Sequence, residues 1–437
     1  ESMVKGSLAG TVYDTSGAVV PGAKVTLTGA TGSKSQDSDE TGNFSFALLI
    51  PGMYSVKVEK QGFKTSDIKS VEVVTNRATT IRATLEAGAL TQVVEVTSAE
   101  VAVDTSSTAI GANLPDSFYK SVPVSRGIAG LFQLSAGVAS GGGTGTSNPS
   151  ISGGSGLENL YVADGVNITD ASFGGLGVFS RVYGALGSGI NLSFVKEVQV
   201  KTGGFEPQYG KATGGIVQIV TKSGGNAYHG VIAGFFAPQS LEATRKHPDD
   251  FGRVNLAGKT LGFSNFDFSA ELGGYVPGLR DNLFFFGAIN PSWERQFVLS
   301  PPNSALFAQG ETALKTRTLS YFGKITYKIN DSHSVEASIF GDPATTNTST
   351  FRTLNIDNAT ANSKLEYGTR NLAVRWNAAF TPSWVANASF TWSHNNFTET
   401  PSADLHQIVD RTQAAGLPGQ RGIFTAVGVG FLENTIG

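Results

Sequence analysis

From Tyr228 onward, apolar side chains recur at every second position over long runs of the chain. Leu372, Val374, Trp376, Ala378 and Phe380 fall on one face of such a run, with Asn371, Arg375 and Asn377 among the residues of the other. Further on, Ala386, Ala388, Phe390 and Trp392 oppose Asn387, Ser389, Thr391 and Ser393. Successive strand residues point to opposite faces, so each run reads as an amphipathic β-strand. The pattern predicts strands at Tyr228–Pro238, Phe266–Val276, Asn282–Gln296, Thr316–Ile329, Ser334–Phe340, Thr369–Phe380 and Trp384–Phe397, with an eighth at Phe424–Phe431. Short joints such as Pro277–Asn282, Asn330-Asp331 and Pro382-Ser383 alternate with long polar ones such as Pro343–Glu366. Short turns on one rim and long loops on the other, with aromatics near strand ends, are what an outer-membrane β-barrel requires. A soluble β-sandwich also alternates, but strand length and the lopsided loops favour the membrane.

Composition agrees with strands whose two faces meet different environments. Charged residues make up only 15% of the chain against a usual ~25%, while Gly reaches 54 residues and apolar content is an ordinary 40%. At 437 residues the chain should hold two or three units. A net charge of −3 and a pI near 6.0 do not suggest a nucleic-acid surface. The absence of Cys excludes a disulfide framework, Cys-based zinc sites and a Cys nucleophile, and leaves the compartment open. No run of ~18 apolar residues offers a transmembrane helix, which leaves a barrel possible. Glu1–Lys5 lacks a basic start followed by an apolar segment, so the chain reads as cytoplasmic or already processed. His229, His247, His333, His394 and His406 form no zinc-hydrolase spacing, and neither a nucleophile elbow nor a phosphate loop occurs. No enzyme, metal site or cofactor is expected.

Upstream of this texture lies the stretch Ile190–Gly230. Val195–Val200 and Ile216–Val220 are strand patterns, separated by a turn segment carrying Gly203, Gly204, Gly210, Gly214 and Gly215 around Tyr209. Glycine at that density permits positive φ and close backbone approach, so the connection should be tightly packed. The texture changes just after Thr221–Asn226.

The first eighty or so residues differ again. From Gly6 to about Glu86, short strands such as LAGTVYD, AKVTLTG, FSFAL and MYSVKVEKQGF alternate with turn signals, which predicts an antiparallel β-sandwich. Asp37, Asp39 and Thr41 before Gly42 imitate the start of a calcium loop, but Leu48 stands where the bidentate Glu belongs, so this is read as a polar turn. Ala87–Asp104 is a connector with one alternating run, Val93, Val94, Glu95, Val96 and Thr97. It is either a last sandwich or linker strand or an exposed segment that adds to a partner's sheet. Thr105–Gly225 reads as a small α+β unit. It should carry a short helix after Pro123 ending near Gly137, a hairpin at Asp164-Gly165, and two Gly-rich loops, Gly137–Gly156 and Phe173–Gly189. Loops of that length are usually functional or mobile, and these two could face a ligand.

Two resemblances join these pieces. Gly10–Gly17, Pro21-Gly22-Ala23, Asp39-x-x-Gly42-x-Phe44 and Pro51-Gly52-x-Tyr54 resemble the carboxypeptidase regulatory-like (transthyretin-like) sandwich, an accessory module whose name implies no protease here. Lys120–Val138 looks like the start of a plug domain, and Asn159, Asp164, Gly165 and Val166 match its N-x-x-x-x-D-G-V signature. Tyr209, Gly210, Gly214 and Gly215 look like the plug's end, and Thr221, Lys222, Ser223, Gly224, Asn226, His229 and Gly230 like the tether into a barrel. Together they resemble TonB-dependent outer-membrane receptors of the Oar-like kind, found in Gram-negative envelopes.

The resemblance implies a mainly β protein in four parts: a sandwich at 5–87, a connector at 88–104, a plug at 105–225 and the first seven or eight barrel strands at 226–437. Such a barrel should have about 22 strands, so the chain looks like the N-terminal part of a longer one. An isolated part would leave open edges in lipid and should not insert as a closed pore. The implied partners are outer-membrane lipid, an extracellular nutrient ligand of unknown identity, and a TonB-type periplasmic energy transducer that would bind Val93–Thr97. The sandwich would lie in the periplasm. The family's plug Arg in an I-R-G pattern is replaced by Ser152, which removes a charged plug–barrel contact. The rival reading is a non-transporting outer-membrane structural or adhesion protein that uses the sandwich and the Gly/Ser/Thr-rich strands.

Overall fold

The computed structural model describes residues 5–88, 93–96, 101–102, 110–123, 127–141, 147–180, 184–205, 209–210, 212–243, 259–299, 311–348, 363–381, 384–401 and 433–436. It is mainly β throughout.

The N-terminal sandwich is built from two sheets. One has the order Asn43–Leu49, Gly6–Asp14, Ala78–Leu85, Val101–Ala102; the other runs Gly32–Asp37, Lys24–Gly29, Gly52–Glu59, Thr65–Val73, Val93–Val96. Alternate residues of both sheets, including Leu8, Val12, Phe44 and Ile81 from one and Val25, Leu27, Val56 and Ile68 from the other, form one buried core. Most pairings are antiparallel, but Gly6–Asp14 runs parallel to Ala78–Leu85 and Thr65–Ile68 parallel to Val93–Val96. The acidic turn closes on itself: Asp39 Oδ1 accepts from the Thr41 amide (2.8 Å), the Thr41 hydroxyl (2.7 Å) and the Asn43 amide (2.8 Å). That is an Asx-type turn, which uses the carboxylate to shape the backbone.

The central unit carries a five-stranded sheet in the order Ile110–Pro115, Val195–Gly203, Ile216–Thr221, Leu160–Ala163, Val166–Asn167. Ile216–Thr221 is buried at every position because both of its faces are covered. The Asp164-Gly165 hairpin forms as expected, with φ of 45° and 79° at those residues. The helix expected between Pro123 and Gly137 shrinks to one turn, Ala129–Phe132, and another single turn forms at Asp116–Tyr119. Gly127 and Gly130 each weaken a helix by about 1 kcal/mol, and a short helix has too few propagating bonds to offset its nucleation. The two Gly-rich loops are partly structured: Val138–Ala139 pairs with Ser150–Ile151, and Val178–Ser180 with Gly184–Gly187.

The third part is a nine-stranded antiparallel sheet. Its order is His229–Ala237, Lys259–Tyr275, Leu283–Leu299, Thr312–Lys328, His333–Gly341, Ser363–Thr381, Trp384–Pro401, Glu433–Ile436, with Ala344–Thr348 pairing Thr312–Lys328 and Ser363–Thr381 off this path. The longest strands reach 17 to 19 residues, beyond the predicted bounds. Polar ends such as Lys315, Arg317 and Lys364 interrupt the apolar alternation, yet the hydrogen-bond ladder continues through them. Pro343–Glu366 is not wholly a loop, since Ala344–Thr348 is a strand within it. The eighth predicted strand, Phe424–Phe431, and the Pro382-Ser383 turn lie outside the described residues. The sheet is barrel-like but open: among the described residues His229–Ala237 pairs only with Lys259–Tyr275.

Burial on this sheet is inverted relative to a water-soluble protein. Lys324, Thr326, Glu336, Ser338, Asn371, Arg375 and Asn377 are buried, while Leu319, Ile325, Ile339, Val374 and Phe380 are exposed. Against the buried face packs the central unit: Phe194 meets Phe322 with ring centroids 6.0 Å apart, and Phe322 in turn meets Phe286 (5.8 Å) and Phe340 (6.2 Å). These rings belong to one core with Leu131, Phe132, Val198 and Ile219 of the central unit. No described helix is long and apolar enough to cross a membrane, which says nothing of strands.

Candidate functional site where three units meet

The hairpin residue Asp164 stands at the centre of a buried polar cluster. Its Oδ1 accepts from the Thr221 amide (3.0 Å), and its Oδ2 accepts from the Thr221 hydroxyl and from Lys324 Nζ (2.8 Å). Burial alone would raise this carboxyl, but Lys324, Thr221 and Arg375 outweigh it and hold the group below its ordinary value. Arg375 forks between units: Nη2 donates to the Asp164 carbonyl and Nη1 to Glu336 Oε2 at 3.1 Å. The other oxygen of Glu336 accepts from Lys5 Nζ, which arrives from the first described residue of the sandwich. Burial pulls the Lys5 ammonium below its ordinary value, against the support of Glu336. Lys5, Lys324, Glu336 and Arg375 are all at most 8% exposed, so the charges interact with little screening.

Asn159 organises the neighbouring turn. Its Nδ2 donates to Pro149 O (2.8 Å) and Tyr161 Oη (3.0 Å), and its Oδ1 accepts from the Gly215 amide (2.8 Å). A Cβ on Gly214 would fall 2.4 Å from Asn159 Oδ1, and one on Gly215 would fall 2.3 Å from Ile151. Both glycines are therefore sterically required. Gly210 is not, because a Cβ there meets nothing. Tyr209 is buried, its hydroxyl accepts from Gln218 Nε2, and its ring lies under the Lys201 ammonium, 4.8 Å from the ring centre. Val166 is buried beside the hairpin.

The segment Thr221–Gly230 is fastened along its length. The Lys222 amide donates to Phe194 O (2.9 Å), and Lys222 Nζ pairs with Glu271 at 2.7 Å. Ser223 Oγ lies 3.5 Å from Lys324 Nζ. Gly224 threads between two strands, where a Cβ would sit 2.2 Å from Phe285 O and 2.4 Å from Gly274 O. Asn226 joins the sandwich to a sheet turn: its amide donates to Ala30 O (2.8 Å), and its side chain exchanges hydrogen bonds with Asp281. His229 opens the first long strand and stacks on Phe286 at 6.3 Å, and Gly230 faces Glu271 O too closely for a Cβ.

Two further anchors complete the junction. Asp342 Oδ2 accepts from the Ser188 (2.9 Å) and Gly189 (2.8 Å) amides of the central unit, while Asn191 Nδ2 donates to Asn290 Oδ1 at 2.8 Å. Sandwich and central unit also touch directly, where Glu197 accepts from Thr75.

The candidate partner strand Val93–Val96 occupies an edge of the sandwich, paired in parallel with Thr65–Ile68; Thr97 lies outside the described residues. Ser152 adopts φ 54° and its hydroxyl donates to Thr202 O. Charged contacts between central unit and large sheet are made instead by Asp164 with Lys324 and Arg375, by Lys222 with Glu271, and by Asp342 with the Ser188 and Gly189 amides. Sequence reasoning missed Lys5, Lys324, Glu336 and Asp342. For Lys324 and Glu336 the available signal was an isolated charge on the polar face of a strand in a chain with few charges; Lys5 and Asp342 lie just outside strands and carried no such signal.

The sandwich, a central unit packed on the polar face of long antiparallel strands, and the exposed apolar face together define a fold of the outer-membrane-receptor type, with barrel-like strands that do not close among the described residues. The outer membrane transporter YddB from Escherichia coli superposes with a TM-score of 0.54 at 13% identity, over 73% of this chain and 43% of that one, which is agreement of fold. Residues 7–86 match the carboxypeptidase regulatory-like domain. Over 453 aligned residues the chain is 29% identical to the TonB-dependent transporter Oar of Myxococcus xanthus, covering 94% of this chain and 41% of the relative. The chain is a homologue of that TonB-dependent transporter. It spans about two-fifths of the length of that relative, and of the YddB chain it superposes on.

Proposed function

We propose that the complete protein is an outer-membrane transporter that takes up a nutrient ligand by energised movement of a plug, residues 105–225, seated against barrel strands that begin in residues 226–437. The inverted burial of the nine-stranded sheet carries this reading. Exposed Ile325, Ile339, Val374 and Phe380 suit lipid, while buried Lys324, Glu336, Asn371 and Arg375 suit a lumen filled by the plug. The short joints Pro277–Asn282 and Asn330-Asp331 lie beside the sandwich, through Asn226, Asp281 and Lys34, which supports a periplasmic sandwich. A TonB-type transducer would act on Val93–Thr97. Val93–Val96 is paired along one edge only among the described residues, leaving the other for strand addition. Thr221–Gly230 would be the tether that keeps the plug's end on the barrel while upstream strands shift.

The test locks the plug. Asn191 and Asn290, in hydrogen-bond contact at 2.8 Å, are replaced together by Cys in the full-length protein, and cells are grown in a medium of defined nutrients whose depletion is followed by mass spectrometry. A solute whose removal stops in the oxidised variant and resumes on reduction supports transport. Identical depletion of every solute by deletion, locked and native cells would sink it.

A further inference from the structure

We propose that the sandwich senses plug position: Lys5 stays paired with Glu336 only while Asp164 occupies Lys324 and the second arm of Arg375, whose first arm already rests on that carboxylate. The inference rests on reading residues 105–225 as a plug.

Three cations, Lys5, Lys324 and Arg375, share two carboxylates, Glu336 and Asp164, in one buried cluster. The contributors come from all three units. Lys5 belongs to the sandwich and Asp164 to the plug, whereas Lys324, Glu336 and Arg375 sit in the sheet's ladder and cannot leave it. In the seated state Asp164 engages Lys324 Nζ at 2.8 Å through its carboxylate and Arg375 Nη2 through its carbonyl. Glu336 can then divide its two oxygens between Lys5 and Arg375 Nη1.

If Asp164 withdraws, Lys324 and the free arm of Arg375 lose their acceptor. In a water-poor site they turn to the remaining carboxylate, and three cations compete for Glu336. Lys5 is the competitor able to leave, because the rest of its unit joins the plug through the connector of residues 88–104. Withdrawal also strips a second contact, since Glu197 on the plug's Val195–Gly203 strand holds Thr75 of the sandwich. Plug displacement would therefore loosen the sandwich from the barrel strands, leaving it held through the Asn226–Ala30 hydrogen bond of the tether. By reciprocity a docked sandwich, by occupying Glu336, favours a seated plug.

These 437 residues hold no cysteine, so with any cysteine elsewhere in the full-length protein replaced by Ser, paired spin labels are placed through Met53→Cys in the sandwich and Leu279→Cys in the sheet turn, both exposed, in detergent. Asp164→Asn keeps the left-handed turn and an acceptor for Thr221 but removes the charge. It should raise the undocked fraction at intermediate urea by about tenfold or more, the scale set by a buried charge contact. Adding Lys324→Met removes one competitor for Glu336 and should restore docking. In a Lys5→Met background Asp164→Asn should add nothing. Native docking in Asp164→Asn, failure of Lys324→Met to rescue it, or simple additivity of Asp164→Asn with Lys5→Met overturns the proposal. Should Asp164→Asn not accumulate, Lys5→Met alone must lower the urea concentration needed for undocking, because it removes the sandwich's ion pair to Glu336, and an unchanged concentration overturns it equally. The disulfide lock tests the plug reading separately, so either can fail while the other stands.

Discussion

Glu197, on the central sheet, accepts hydrogen bonds from both the amide (3.2 Å) and the hydroxyl (3.1 Å) of Thr75 in the sandwich, and Gln199 Nε2 reaches the Thr75 carbonyl at 3.4 Å. Burial pushes this carboxyl up to about 7, helped by Glu72 and opposed by Thr75 and Lys196.

A carboxyl raised on docking is more protonated in the docked state, so docking is strongest below the ordinary Glu value and weakens as pH rises through about 7. The difference should be on the order of 2 kcal/mol between pH 4.5 and 8. Glu197→Gln should flatten the dependence. Protection of the sandwich from limited proteolysis across that pH range measures it, and an equal slope in the variant would contradict the assignment.

Glycine is required at one tether position and idle at a nearby one. Gly224→Ala places a methyl 2.2 Å from Phe285 O and should lower the yield of folded protein or shift its unfolding by about 2 kcal/mol or more. Gly210→Ala meets open space and should stay within ~0.5 kcal/mol. Parallel urea unfolding of the two variants in detergent compares them.

Asn159→Ala deletes an acceptor that satisfies the Gly215 amide and a donor to the Pro149 carbonyl, leaving both backbone groups buried. Stranded groups of this kind cost about 1–3 kcal/mol each. Hydrogen exchange at Gly215 should accelerate accordingly, and unchanged protection would mean the side chain is dispensable.

Ile289, 48% exposed on the apolar face of Leu283–Leu299, should face lipid. Ile289→Lys should then destabilise the full-length protein in bilayers by up to about 4 kcal/mol. In a soluble protein the same change at an exposed site would be nearly neutral. Folding titrations in vesicles decide between these outcomes.

Much of the architecture was legible before the fold was known. Period-two alternation placed the long strands, because an exposed apolar face and a buried polar face put opposite polarity on successive residues. Boundaries ran short where charged ends such as Lys315 and Lys364 hid the ladder, and the Ala344–Thr348 strand was lost in a polar stretch. The helix after Pro123 failed because two glycines left too little to propagate it.

By itself the chain determined local matters: which residues alternate and where Asp164-Gly165 turns. Tertiary structure alone decided that Lys5 meets Glu336 across 331 positions and that Arg375 reaches back over 211 to Asp164. Propensity and periodicity act over a few residues, whereas the stability of a buried charge depends on which other charges the packing brings beside it.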